Sequence, residues 1–457
     1  NAVERALRVE PRVSPYLMDV TTNEGVVMLS GTASNLLERD RAVAVAETVK
    51  GVRSIVNRLE VRAVERSDEE IRTDIRRALS IDPATESYEI QIQVQDDVVT
   101  LTGTVESWSE KLLAAQVAKG IKGIREVKNE IDYAYSGDRS DQDIKADIEG
   151  RLEMDPYINE EFIEVRVSDG VVTLRGTAGS LAERRYAVAK AHVPGTTRVI
   201  DDDLTVSSWA KGSMERTRKI ARVTDAQARQ AIEKALLYDP RVLSLRVDVE
   251  VENGQATLTG TVQNLKAKRA AERDARNTLG IWNVKNEIKV RPVDTLTDAE
   301  IADNVRLALL RDPIVERFEI SVAVRNRLAS LTGTVDTPVE KMHAEDVASR
   351  VKGVASVNNR LAVEYERVYK PDSEIKQDIE TEYAWSPFVD GGDLEIKVDN
   401  AHVELVGSVD TWHEYLEAVE NAFEGGAASV RSYMRVEAND RMYDRQWSRP
   451  PSERWPL

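Results

Sequence analysis

Few residues in this chain are of types that do chemistry. The 457-residue sequence contains no cysteine and only four histidines, His192, His343, His402 and His413, in separate segments. Without a thiolate there is no thiol nucleophile, disulfide framework or sulfur-ligated metal site, and scattered imidazoles do not make a general-base or zinc constellation. Carboxylates are abundant, but Asp96-Asp97 and Asp201-Asp202-Asp203 fall in turn or strand segments without calcium-loop spacing. Lys50-Gly51, Lys122-Gly123 and Lys352-Gly353 each place a cation at the end of a helix, where the helix dipole favours it and no phosphate is needed. The expectation is a chain without catalytic, cofactor or metal residues.

Composition narrows the function classes further. A formal net charge of −17 argues against an ordinary binder of nucleic acid or anionic membranes. With 41% hydrophobic and 31% charged residues the composition is globular. No apolar run approaches the roughly 18 to 20 residues that span a bilayer. At this length the chain is multidomain.

The elements that must position these residues are set by an internal repeat. Pro11, Pro83, Pro156, Pro240, Pro313 and Pro387 are each followed 20 residues later by a glycine: Gly31, Gly103, Gly176, Gly260, Gly333 and Gly407. Alanines recur eleven and fifteen residues beyond each glycine, as at Ala114 and Ala118. Six matches without an insertion define six copies of one unit.

The second copy is the clearest. Ser67-Asp-Glu-Glu opens a helix with Ile71, Ile75, Ala78 and Leu79 on one face, and Asp82-Pro83 ends it. Residues 88–94 alternate polar and apolar as a half-buried strand, Asp96-Asp97 makes a turn, and residues 98–102 return as a second strand. Ser107 and Glu110 form a capping box for a second helix whose Ala114 and Ala118 let it lie close on the sheet. Residues 126–131 form a third strand. The cap recurs as Asn35 with Glu38, Ser180 with Glu183, Thr337 with Glu340 and Thr411 with Glu414, while Asn264 lacks the glutamate. The repeated glycine stands where the second strand hands over to this cap, fitting an unusual backbone angle or a close approach. The fold class is α+β: six tandem α-β-β-α-β domains, each a three-stranded mixed sheet with two helices on one face.

These features, with the phrase Gly-Val-x-x-Val-x-Asn-x-Leu as at 51–59, 123–131 and 353–361, resemble the BON domain of bacterial OsmY and nodulation proteins. The sixth copy departs most, with Ser386 before the proline and Ser432 in place of the asparagine. The resemblance implies bacterial origin, export to the periplasm or cell envelope, and non-catalytic binding of envelope proteins or phospholipid. It carries no active-site residues. A self-assembling homo-oligomer (ring, tube or filament) and a holdase-like periplasmic chaperone stay open beside that adaptor reading.

The units read as 1–62, 67–134, 140–206, 224–291, 297–364 and 370–437, with a basic linker at 207–223 and a tail at 438–457. The first helix looks shortened, as though a leader had preceded residue 1. Three groups depart from the repeat and are candidate partner or self-contacts. The linker carries Trp209, Arg216, Arg218 and Lys219, and is either a solvated joint or a docking strip for an acidic surface such as a second copy. Tyr383, Trp385 and Phe388 either fill the core or meet a protein or lipid; Glu380, Glu382 and Asp390 beside them weigh against anionic headgroups. The tail, with Trp447 and Trp455, is either disordered or partner-bound. Trp108 and Trp412 share one register, just after the helix cap, and are expected to pack.

Overall fold

The computed structural model describes residues 2–10, 12–85, 89–133, 135, 137–210, 223–242, 246–292, 294–316, 318–364, 370–386 and 388–436. In the second unit Ser67 and Glu70 exchange side-chain and backbone hydrogen bonds in a capping box that starts the helix Asp68–Ile81. Strands Ile90–Gln95 and Val98–Val105 form an antiparallel hairpin. Helix Trp108–Lys119 then crosses the sheet, so strand Glu126–Tyr133 can pair parallel to the central strand. The first helices of the other units are Ala2–Val9, Asp141–Glu153, Asp225–Tyr238, Asp298–Arg311 and Asp372–Trp385. Their second helices are Leu36–Thr48, Leu181–Ala191, Leu265–Arg276, Pro338–Ser349 and Trp412–Glu424.

Units three and four split the third strand. Arg198–Ile200 and Leu204–Val206 both pair with Val171–Ala178, and Asn283–Asn286 and Lys289–Val290 both pair with Gln255–Val262. In unit three the acidic triplet is the interruption: the Leu204 amide donates back to the Asp201 carbonyl at 3.0 Å.

Each unit has its own core between helices and sheet. In unit two it comprises Ile71, Ile75, Leu79, Val99, Leu101, Ala114, Ala118 and Ile131, all buried. Both residues of each hairpin turn have positive φ, as at Asp96 (50°) and Asp97 (62°), a combination that L-residues resist. An aspartate at the start of the first helix holds the turn in place. Asp68 accepts from the amides of Asp96 and Asp97, each at 3.2 Å. Asp141, Asp225, Asp298 and Asp372 do the same in units three to six. These aspartates stand 35 residues before each repeated glycine, a recurrence visible in the sequence but absorbed there by helix capping.

The repeated glycine lies inside the second strand, not at its end. Gly103 pairs with Ile90, the first residue of the opposing strand, at φ 135°. A Cβ there would meet the Glu89 carbonyl oxygen, and the other five glycines face the equivalent carbonyl. Gly103→Ala should therefore destabilise by about 2 kcal/mol or more. Gly150→Ala, in a helix with nothing near its added methyl, should stabilise by about 0.5–1 kcal/mol. Urea unfolding midpoints of the whole chain check both, and equal shifts would contradict the close-approach account.

Candidate functional site

The acid before the proline is the first residue whose role the fold enlarges. Glu10, Asp82, Asp155, Asp239 and Asp312 are buried. Each accepts from an amide two residues on, as Asp82 does from Ala84 at 2.9 Å, which fixes the loop leaving the first helix. Ser386 performs the same task in unit six, accepting from the Phe388 amide at 3.1 Å. A buried carboxylate also needs a counter-charge, and the chain supplies it differently each time. Arg12 and Arg41 serve Glu10, Lys190 serves Asp155, Arg241 serves Asp239, and Lys266 reaches Asp82 from another unit at 2.6 Å, while the His343 ring hydrogen-bonds Asp312 at 2.8 Å.

The residue after each second-helix cap is the next. Leu36 of unit one enters the core of unit two, Leu181 of unit three packs on the core of unit one, and Leu265 of unit four enters that of unit five. Trp108 of unit two stacks on His192 of unit three at 3.9 Å, and Arg276 of unit four lies over the Trp412 ring of unit six at 5.5 Å. Burial, with Arg151 nearby, lowers the His192 pKa to about 4, so the stacked ring is neutral at physiological pH. Charges reinforce the wedges: Lys119 bonds Asp40 at 2.6 Å, Arg185 pairs with Glu47, and Arg269 with Glu345. Units one, two and three thus close a ring of contacts, and among the described residues units four, five and six repeat two of its three links.

A second class of contact joins the two triplets. The Lys122 amide donates to the Arg311 carbonyl and the Lys352 amide to the Ile81 carbonyl, both at 2.9 Å, a reciprocal pair between units two and five. The Leu279 amide donates to Met154 in the same way between units four and three; the return bond is absent because Pro194 occupies the equivalent donor position and has no N–H. Asp74 pairs with Arg311 at 2.6 Å, and at matching positions Asp147 accepts from Tyr238 at 2.7 Å. Units three and six meet through Tyr157, Ala182, Tyr186 and Phe388, with His413 4.3 Å from the Tyr157 ring. Lys122, read from sequence as a helix-dipole cation, pairs across the seam with Glu316. Equivalent positions meet reciprocally between units two and five, the pattern a twofold axis produces between identical subunits, here written into one chain.

The seam between units one and six concentrates charge. Arg12 Nε bonds Glu10 at 2.7 Å and its guanidinium reaches Glu424 at 3.2 Å and Glu420 at 3.4 Å, while Arg41 bridges Glu10 and Glu424. Burial pushes Glu10 up, but Arg41 and Arg12 outweigh it and hold it at about 2. Burial and then Glu10 push Glu424 well above the usual carboxylate range. Glu382, whose Oε1 is buried without a hydrogen bond, is raised to about 8 by burial and then by Glu10, with Arg41 and Lys370 opposing and Asp378 adding to the shift.

Of the residues singled out from sequence, Tyr383 lies in the core of unit six, where its hydroxyl donates to the Ala418 carbonyl at 2.8 Å and burial raises its pKa. Phe388 lies in the seam with unit three, and Trp385 is the last residue of its helix. Trp209 is 66% exposed and meets Phe162 edge-on at 5.3 Å. Arg216, Arg218, Lys219, Trp447 and Trp455 lie outside the described residues. Among the described residues no cluster of His, Asp and Glu is placed to hold a metal ion, and no helix is long and apolar enough to cross a membrane.

Lys266→Met leaves Asp82 buried without its counter-charge and should cost about 3–5 kcal/mol in urea unfolding. Adding Asp82→Asn, which keeps an acceptor for the Ala84 amide, should recover most of that loss; no recovery would contradict the pairing. The seam of units one and six makes a pH prediction. Between pH 4.5 and about 8 the unfolded chain has released the Glu382 proton that the folded seam keeps. Stability therefore falls as pH rises through that window, by up to about 1.4 kcal/mol per unit. Glu10 has the opposite sign: its contribution is complete above 4.5 and is lost as pH falls toward about 2. Glu382→Gln should flatten the decline between pH 5 and 8 relative to the parent chain, and an unchanged slope would remove Glu382 from the account.

The BON domain family matches residues 1–63, 67–135, 140–208, 224–292, 297–365 and 371–438. Osmotically-inducible protein Y of Escherichia coli (strain K12) is 30% identical over 136 residues, covering 28% of this chain and 68% of that protein. The C-terminal domain of CdsD, the structural protein of the type III secretion system of Chlamydia trachomatis, is similar at 16% identity over 50% of this chain and all of that one, with a TM-score of 0.14. A second CdsD structure gives 13% identity over 49% of this chain and 97% of its own, with a TM-score of 0.12. At such scores neither carries an argument. With six matches spanning nearly its whole length and six copies of the α-β-β-α-β unit in the structure, this chain belongs to the BON domain family.

Proposed function

We propose that this chain is a non-enzymatic scaffold of the bacterial cell envelope, presenting six BON units as one body to protein partners. The observation that carries the reading is the use made of its ionisable and aromatic side chains. Lys266, Arg311, Arg41, Trp108 and Phe388 are committed to contacts between units, where they hold the array together. Membership of the BON family and the likeness to Osmotically-inducible protein Y support an exported, stress-associated setting. The net charge of −17 favours protein over anionic phospholipid as the partner.

Fractionation of the producing bacterium, followed by immunodetection, tests the location: recovery with periplasmic or envelope markers is expected, and recovery with cytosolic markers would overturn it. Flotation with phosphatidylglycerol vesicles at 0.15 M salt tests the partner class. The chain is expected to stay at the bottom of the gradient, and saturable flotation would make phospholipid the partner instead.

A further inference from the structure

We propose that the seam between residues 1–210 and residues 223–436 is an exchangeable protein–protein interface, and that the complementary half of a second copy of this chain can occupy it. Three observations lead there. Each half is held together by its own wedges: Leu36, Trp108 and Leu181 link units one to three, and Leu265 and Trp412 link unit four to units five and six. The halves are covalently joined only through residues 211–222, whereas everything described across the seam is non-covalent. Finally, the backbone bonds from Lys122, Lys352 and Leu279 cross the seam from equivalent positions, and no described contact across it depends on which chain supplies the second half.

Charge fixes which half fits which. The first half places Asp74, Asp82 and Asp147 against Arg311, Lys266 and Lys234 of the second. In return its Arg12, Arg41 and Lys122 meet Glu420, Glu424 and Glu316. Two first halves facing each other would lose these partners: where Arg311 stands, the first half has Val9, Ile81 or Met154, so Asp74 and Asp147 would keep only Arg66 and Arg139 of their own units, and Asp82 would have no Lys266 at all. A buried carboxylate without its counter-charge is strongly unfavourable, so the occupant is a complementary half and not a like one. A chain whose halves part and re-pair with another copy gains a route from closed monomer to linked copies without any new surface.

The test uses the folded, full-length chain with a protease site introduced within 211–222. Two preparations with different tags on their first halves, one isotopically labelled, are cut after folding, mixed, and captured through one tag. The cut chain should still elute at the mass of the intact one, and the captured first half should bring labelled second half from the other preparation. The variant Lys266→Ala with Arg311→Ala should raise the exchange rate at least tenfold. Halves that separate on cutting at micromolar concentration would overturn the proposal, as would halves that stay paired without exchange in both parent and variant. Either result leaves the envelope location untouched, because fractionation reads it independently.

Discussion

The constraint that five of the six units share is a carboxylate buried at the end of the first helix, which needs a partner. The group is placed there by local chemistry, since its oxygen accepts the amide two residues on and shapes the loop around the proline. That placement removes it from water, where an unpaired charge costs several kcal/mol. Unit six escapes the difficulty with Ser386, which keeps the hydrogen bond and drops the charge. The other five must find a partner. Four draw it from their own unit, and Asp82 draws it from unit four, turning a local requirement into a tie between distant parts of the chain.

The same economy of size explains the wedges. A domain of about 70 residues buries only about 60% of the surface its unfolded chain exposes, and its small core leaves apolar edges open. The position after the second-helix cap stands at such an edge, so Leu36, Leu181 and Leu265 complete a neighbour's core instead of their own. Trp108 and Trp412 reach neighbouring units by a ring face, where size substitutes for insertion. Because all copies share one fold, one kind of contact serves several interfaces, and symmetry emerges without identical subunits. Its breaks are equally physical: Pro194 deletes a single donor and the reciprocal hydrogen bond with it.

Charge is the variable that distinguishes one seam from another. Units one and six gather Glu10, Glu382, Glu420 and Glu424 around Arg12 and Arg41, more acids than the two guanidiniums can serve. Protons make up the difference, so Glu382 stays largely protonated near neutrality while Glu10 keeps its charge. In a chain of net charge −17, Lys266, Arg311, Arg41 and Lys122 are placed at contacts between units.

The unit itself was legible in the amino acids. Ser67 with Glu70, Ala114 with Ala118, the Asp96-Asp97 turn and Gly103 act within one unit, through helix periodicity, strand alternation and short hydrogen bonds that spacing alone reveals. Trp108 could be marked as a packing residue by its shared register with Trp412, but not assigned to His192. Lys122 reads from the sequence as a helix-dipole cation, and no local pattern marks Lys266; their partners stand 194 and 184 residues away, and Arg12 meets Glu424 across 412. Each unit offers the same faces to five others, and local pattern does not say which will meet. The packing of six nearly equivalent bodies decides that, because only the assembled array determines which buried charges and apolar edges come into contact.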